Sequence, residues 1–266
     1  MTRIVLAVYF AIVTGFLLLP LIFLVPISLT DSQFLEFPPT SLSLRWYREF
    51  FTDQSWLDAT LVSLKIGVGA TILSLLFGTL AAIALVRADF AAKGVLTALF
   101  IAPLIIPSVV LALALYIVFL RWRLVNNIYA LTLAHALIAM PYVVMIVAGS
   151  LRRFDMTIER AARILGAGPV RAFVHTALPF LAPAMFASAI LAFFASFDEL
   201  IITLFISGGL QTLPVRIWND LSLKLDPTVP AVAVMLTLIS IVGMSIGEIV
   251  RRRNELRYQT HSVPEA

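Results

Sequence analysis

Asp198 and Glu199 stand side by side in a run that is otherwise apolar, between AILAFFASF and LIITLFIS. A charge held within hydrocarbon is costly and usually faces a partner or a polar pathway. The pair can line a route for a cationic or amine-bearing solute, or it can pair with a neighbouring helix, with Lys65 as the available cation. Successive helical residues point in different directions, so both carboxylates need not face one pore. Pro107, four residues after Pro103 in a bilayer-length apolar run, is a group of another kind. Two such prolines free backbone carbonyls that only protein neighbours or a water-lined cavity can satisfy, which fits either a plain kink or a place on a pathway. His135, alone in another apolar run, reads as a packing or hydrogen-bonded residue before a ligand.

Enzyme chemistry is poorly supported. The sequence has no G-x-x-x-x-G-K-[ST] phosphate loop, no H-E-x-x-H and no G-x-S-x-G. It has no cysteine, and its three histidines, at 135, 175 and 261, are not brought together by any spacing. No catalytic residue, no metal site and no nucleic-acid partner are expected.

The elements that must position these groups are membrane spans. With 61% hydrophobic residues, 13% charged residues and a mean hydropathy of +1.01 over 266 residues, the composition is that of an integral membrane protein. The expected fold class is all-α, a polytopic single transmembrane domain over 1–266 with six helices, at about 4–30, 58–86, 95–120, 124–151, 180–206 and 227–250. Arg3 before the first run allows a signal peptide, but the run is too long and lacks a clean small-x-small site, so a retained span is expected. Pro20 and Pro26 would kink or end it. The second span carries Gly67, Gly69, Ala70, Ser74, Gly78, Ala81 and Ala82, small residues that let helices approach closely. The loop 31–58 is aromatic, with a short surface helix expected at Leu44 to Phe51, and a second amphipathic helix is expected at Val215 to Leu223. The tail from Arg251 onwards reads as an unanchored or frayed end.

Basic residues decide the orientation. Twelve lie on the face with both termini, at 3, 87, 93, 152, 153, 160, 163, 171, 251, 252, 253 and 257, against six on the other, at 45, 48, 121, 123, 216 and 224. The positive-inside rule then puts both termini and the 152–179 loop in the cytoplasm.

That loop, opening the stretch RRFDMTIERAARILGAGPVRAFVHTALPFLAP, is too patterned for a linker. Asp155 and Thr157 can cap a helix, Ile158, Ala161, Ala162 and Leu165 recur at helical spacing, Gly166 and Gly168 can stop it, and Pro169 can start another. Two short helices joined by a tight turn are expected, with Leu178, Pro179 and Pro183 fixing where the next span leaves the surface.

Ala161, Ala162, Gly166, Leu178 and Pro179, spaced as A-A-x-x-x-G and then L-P, resemble the EAA loop of the membrane subunits of bacterial ABC importers. SFDELIITLFISGG with LPVRIWNDL resembles the spermidine/putrescine and opine branch, and with the six-span layout the resemblance covers nearly the whole chain. Arg160 stands where the motif has its glutamate, Glu159 lies one residue earlier, and Thr176 replaces the usual aliphatic residue before x-L-P. The resemblance implies the type I importer permease fold in the bacterial inner membrane, with Glu159, Arg160, Ala161, Ala162, Leu165, Gly166, Ala167, Leu178 and Pro179 coupling to an ATPase. It also implies a second homologous permease subunit, an ATP-binding cassette ATPase dimer and a periplasmic solute-binding protein as partners, besides membrane lipid. No cofactor is then expected in this chain, since ATP and Mg belong to the ATPase. The solute would be small and amine-bearing, with Asp198, Glu199, Lys65 and Pro107 on its path.

Overall fold

A computed structural model describes the backbone of residues 2–259 and the side chains of residues 3–243. Among these the regular structure is helical: α1 Thr2–Ser28, α2 Arg45–Thr52, α3 Gln54–Arg87, α4 Lys93–Ile105, α5 Ser108–Arg121 and α6 Ile128–Leu151 come first. They are followed by α7 Met156–Ile164, α8 Pro169–Phe197, α9 Ile201–Ile206, α10 Leu213–Leu223 and α11 Thr228–Gln259. The chain divides into two compact units, Met1–Asp58 with Arg216–Ala266, and Ala59–Val215.

Arg3–Ser28, Gln54–Arg87, Ile128–Leu151 and Pro169–Phe197 are long and apolar enough to cross a membrane. The third expected span is not one straight helix: α4 and α5 meet at a bend of 109°, the geometry of a broken span or of a re-entrant loop. Pro107 lacks an N–H and drives its predecessor out of the helical region, so Ile106 is extended at φ −71°, ψ 130° and Pro107 becomes the N-cap of α5. Pro103 stays inside α4. The sixth expected span falls in α11, whose described apolar part, Thr228–Gly243, is shorter than the others. The backbone of α11 continues to Gln259, so the chain from 251 is helical up to that point, where a frayed end was expected. The side chains of Arg251, Arg252, Arg253 and Arg257, and the end of the tail with His261, lie outside the described residues.

In the first unit α11 packs on α1 and α2. Ser28 and Tyr47 share a hydrogen bond of 2.7 Å, and a bridge pairs Thr30 with Leu42. Arg216 lies over the Trp56 ring at 5.1 Å and meets Asp220 at 2.7 Å and Asp53 at 3.8 Å. A hydrogen bond from the Ser55 hydroxyl, ahead of the Arg216 charge, holds the Asp53 carboxyl below its usual range.

In the second unit α6 is the central helix, packed on α8, α4 and α9. Its interior face is built largely of small and β-branched residues, Ala134, Ala139, Val143 and Val147, all at or near zero exposure. The small-residue stripe of α3 works as expected. A Cβ added at Gly69 would lie 2.8 Å from the Thr132 methyl, and one at Gly78 2.9 Å from Val143, so both helices approach at distances that only glycine allows. Ser74 Oγ donates to the Ala136 carbonyl at 2.9 Å across the same contact. The start of α6 is set by Asn127, whose side chain accepts from Tyr129 N and Ala130 N at 2.8 and 3.2 Å. Residues 124–127, counted in the fourth span, therefore lie before the helix.

Candidate functional site

The residues of the 152–179 loop fold into α7 and the first turns of α8. Asp155 is the N-cap of α7, its Oδ1 accepting from Thr157 N at 2.9 Å, and Glu159 adds a negative charge in the first turn. The helix ends in a Schellman turn: Ala167 N donates to Ala162 O and Gly166 N to Arg163 O, both at 3.1 Å, with Gly166 at φ +93°. Gly168 then caps α8 and Pro169 opens it. The helix opened by Pro169 is not short, as expected, but runs unbroken through Phe197. Leu178, Pro179 and Pro183 all lie within it. Neighbouring helices can re-satisfy the carbonyls such prolines free, which is why a membrane helix tolerates them.

Placement on α7 sorts the motif residues by face. Glu159 points inward and is 6% exposed, with Ala162 half-buried behind it. Arg160, Ala161, Arg163, Ile164, Leu165 and Gly166 are exposed, Ile164 and Leu165 at 85% and 88%. Ala167 and Leu178 are half-buried and Pro179 is exposed. The helix thus turns a small, apolar and cationic face outward and one carboxylate inward. Arg87, the last residue of α3, reaches Glu159 through Nη2–Oε2 at 2.6 Å and Nη1–Oε1 at 3.2 Å. Arg87 was read only as a loop charge, and its place at a helix end facing α7 was not visible in the sequence.

The second cluster lies where the fifth expected span breaks. α8 stops at Phe197, Asp198 is its C-cap at φ −89°, ψ 1°, and α9 starts only at Ile201. The two carboxylates separate in role. Asp198 is exposed, whereas Glu199 is half-buried and its Oε1 accepts from Ile202 N at 2.9 Å, capping α9. Lys65, exposed on α3, makes no ion pair with either. Pro107 is exposed at the α4–α5 bend.

Neither proline nor glycine causes the break at 198–200, so its freed backbone groups need partners from elsewhere. Buried His135 of α6 supplies one. Its Nδ1 lies 3.0 Å from the Ser196 carbonyl and 2.9 Å from Ser196 Oγ, and its Nε2 lies 3.0 Å from Thr203 Oγ1. Thr203 Oγ1 in turn reaches the Glu199 carbonyl at 3.0 Å. The lone histidine is a hydrogen-bonded residue, as expected, and its bonds span the gap at Asp198 from Ser196 to Thr203. Ser196 and Thr203 were not singled out by sequence; being small hydroxyls in apolar runs, they carry no signal until His135 faces them.

With this geometry in place, comparison with known proteins is direct. The family model described as binding-protein-dependent transport system inner membrane component matches residues 74–256. The putrescine transport system permease protein PotI of Escherichia coli (strain K12) is 32% identical over 251 residues, 91% of this chain and 89% of the relative. The spermidine/putrescine transport system permease protein PotC of Haemophilus influenzae is 28% identical over 244 residues, 91% of this chain and 95% of the relative. Among solved structures, a bacterial ABC transporter involved in the import of the acidic polysaccharide alginate superposes with a TM-score of 0.72 at 14% identity, covering 93% of this chain and 95% of the other. An amino acid ABC transporter solved with histidines gives 0.57 at 17% identity, over 78% of this chain and 95% of the other. At these identities the structures establish the type I importer permease fold and nothing about solute.

Proposed function

Because the chain belongs to the binding-protein-dependent transport system inner membrane components, and so is a permease subunit of an ABC importer, we propose that it forms half of the pathway for a small polyamine-like solute. The other half is a second, homologous permease. A periplasmic binding protein delivers the solute, and an ATPase dimer, which binds ATP and Mg, drives the cycle through the 152–179 loop. Both termini and α7 then lie in the cytoplasm, following the excess of Arg and Lys on that face.

The observation that carries the coupling role is α7 itself. It is a capped helix with a fixed stop, showing an exposed small and apolar face beside Arg160 and Arg163. A rigid element of this kind can convert closure of a nucleotide-bound partner into displacement of the spans behind it. The amine reading draws on the relatives named for putrescine and spermidine. It also draws on Asp198, an exposed carboxylate at a helix break in an apolar run, the kind of group that attracts a cation within a membrane.

Purification of the chain from its native membrane tests both parts. An ATPase, a second permease and a binding protein should copurify, and putrescine or spermidine with the binding protein should stimulate ATP hydrolysis in proteoliposomes. Stimulation by an opine or by ferric ion but not by any polyamine would overturn the solute assignment. A chain that transports without an associated ATPase would overturn the coupling role.

A further inference from the structure

The Arg87 side chain touches three elements of the second unit at once. It ends α3, grips Glu159 of α7 with both terminal nitrogens, and lies over the Phe173 ring of α8 at 5.0 Å. The two parallel N–H···O bonds form a bidentate fork, which fixes direction as well as distance. The Glu159 side chain is 8% exposed and that of Arg87 21%. Arg87 Nε is buried and makes no hydrogen bond, so the guanidinium is committed to α7 by the fork. Positive charge at the C-terminus of α3 and negative charge in the first turn of α7 also suit both helix dipoles.

A buried ion pair contributes little net stability, because removing two charges from water offsets most of their attraction. What the fork does supply is geometry. α7 packs on α8, which it precedes in the chain, whereas α3 ends 69 residues earlier in sequence and is joined to α7 through this side chain. We infer that Arg87 is a positioning residue: it ties α7 rigidly to the end of α3, so that a displacement imposed on α7 moves the second span together with the fifth. This rests on α7 being the element that receives the ATPase. It adds a second route of transmission that the direct α7–α8 connection does not provide.

The test uses the complete transporter in proteoliposomes and reads solute moved per ATP hydrolysed, together with thermal stability. R87M/E159M removes the fork while replacing a buried pair by apolar groups of similar size, which is often neutral for stability. R87K keeps the charge but cannot form the planar fork. Both variants should assemble and melt near the wild type, while solute moved per ATP falls by roughly fivefold or more, the size of a typical coupling between sites. A wild-type ratio in the double variant overturns the inference, and if the double variant fails to assemble, the R87K ratio decides in the same way. Failure of both to assemble also overturns it, since the pair would then be structural. Gly166→Trp in the same assay separates this from the underlying reading. If Gly166→Trp leaves stimulated hydrolysis intact, α7 is not the docking element; if Gly166→Trp abolishes it and both Arg87 variants behave as wild type, only the role of Arg87 fails.

Discussion

Gly166 offers a way to separate what a residue does for its own chain from what it does for a partner. Its φ of +93° lies in the region that side-chain-bearing residues avoid, and the two bonds of the Schellman turn, Ala167 N to Ala162 O and Gly166 N to Arg163 O, depend on that conformation. A Cβ built there meets nothing within 4 Å. Within this chain, therefore, Gly166→Ala and Gly166→Trp carry the same backbone penalty, roughly 1–2 kcal/mol, and neither Cβ meets a neighbour. Gly166→Asn, which tolerates the left-handed region, costs less than either. Thermal unfolding of the isolated chain should rank wild type, then Asn, then Ala and Trp together. Solute-stimulated ATP hydrolysis by the assembled transporter should rank differently. Ala weakens stimulation by about five- to thirtyfold at most, the population shift that 1–2 kcal/mol allows. Trp abolishes it, because its bulk projects into the space that a docked ATPase occupies. Equal stimulation in the Ala and Trp complexes would refute the reasoning, leaving Gly166 as a turn residue on a surface that nothing covers.

The separation of Asp198 from Glu199 predicts a split in transport. Asp198→Asn should raise the KM for putrescine uptake by about tenfold, the loss of one charge-assisted contact of about 1.5 kcal/mol, whereas Glu199→Gln, which keeps an oxygen for Ile202 N, should leave KM near the wild type. Matching KM values for Asp198→Asn and the wild type would reduce Asp198 to a helix end. Asp155 predicts a pH dependence at the start of α7. The hydrogen bond from Thr157 N holds its carboxyl below the usual 3.8, so its support of the helix is present above that value and lost as pH falls through the depressed one. Amide protection over 156–164, relative to the intrinsic exchange rate at each pH, should fall in that acid window, and Asp155→Asn should flatten the dependence; an unchanged profile in the variant would place the acid response elsewhere.

The parts of the fold that were legible are those set by local chemistry. The short helix forecast from Leu44 is α2 at Arg45–Thr52, and that forecast from Val215 is α10 at Leu213–Leu223. Asp155, Gly166, Gly168 and Pro169 mark the ends of α7 and the start of α8 as their backbone preferences dictate. Prolines were legible only in part. Pro107 breaks a helix and Pro103, Pro141, Pro179 and Pro183 do not, a difference that residue type alone does not carry. The break at 198–200 was not legible at all. Its flanks are bridged by His135, which lies 61 residues from Ser196 in sequence and also meets Thr203. The inward turn of Glu159 was hidden for the same reason, since its partner lies 72 residues back at Arg87.

Burial of polar groups in this chain supplies a sieve that sequence cannot. Ser74, His135, Ser196 and Thr203 are buried with their hydrogen bonds made inside the protein, and Glu159 is likewise occupied by Arg87. Such groups are spent on structure, because an unsatisfied polar group in an apolar setting costs more than any one bond returns. Asp198, Lys65, Arg160 and Arg163 are the contrast: charged, exposed and set at a helix break, on a span or on the outer face of α7. Within hydrocarbon such a charge is unfavourable unless something meets it, which bears on Asp198 and Lys65, whereas Arg160 and Arg163 are exposed on the outer face of α7. A solute amine at Asp198 and an ATPase surface at Arg160 and Arg163 are the two meetings that the proposed function would provide. A complex in which Asp198 met no solute and Arg160 and Arg163 met no partner surface would remove the reason for assigning them a role.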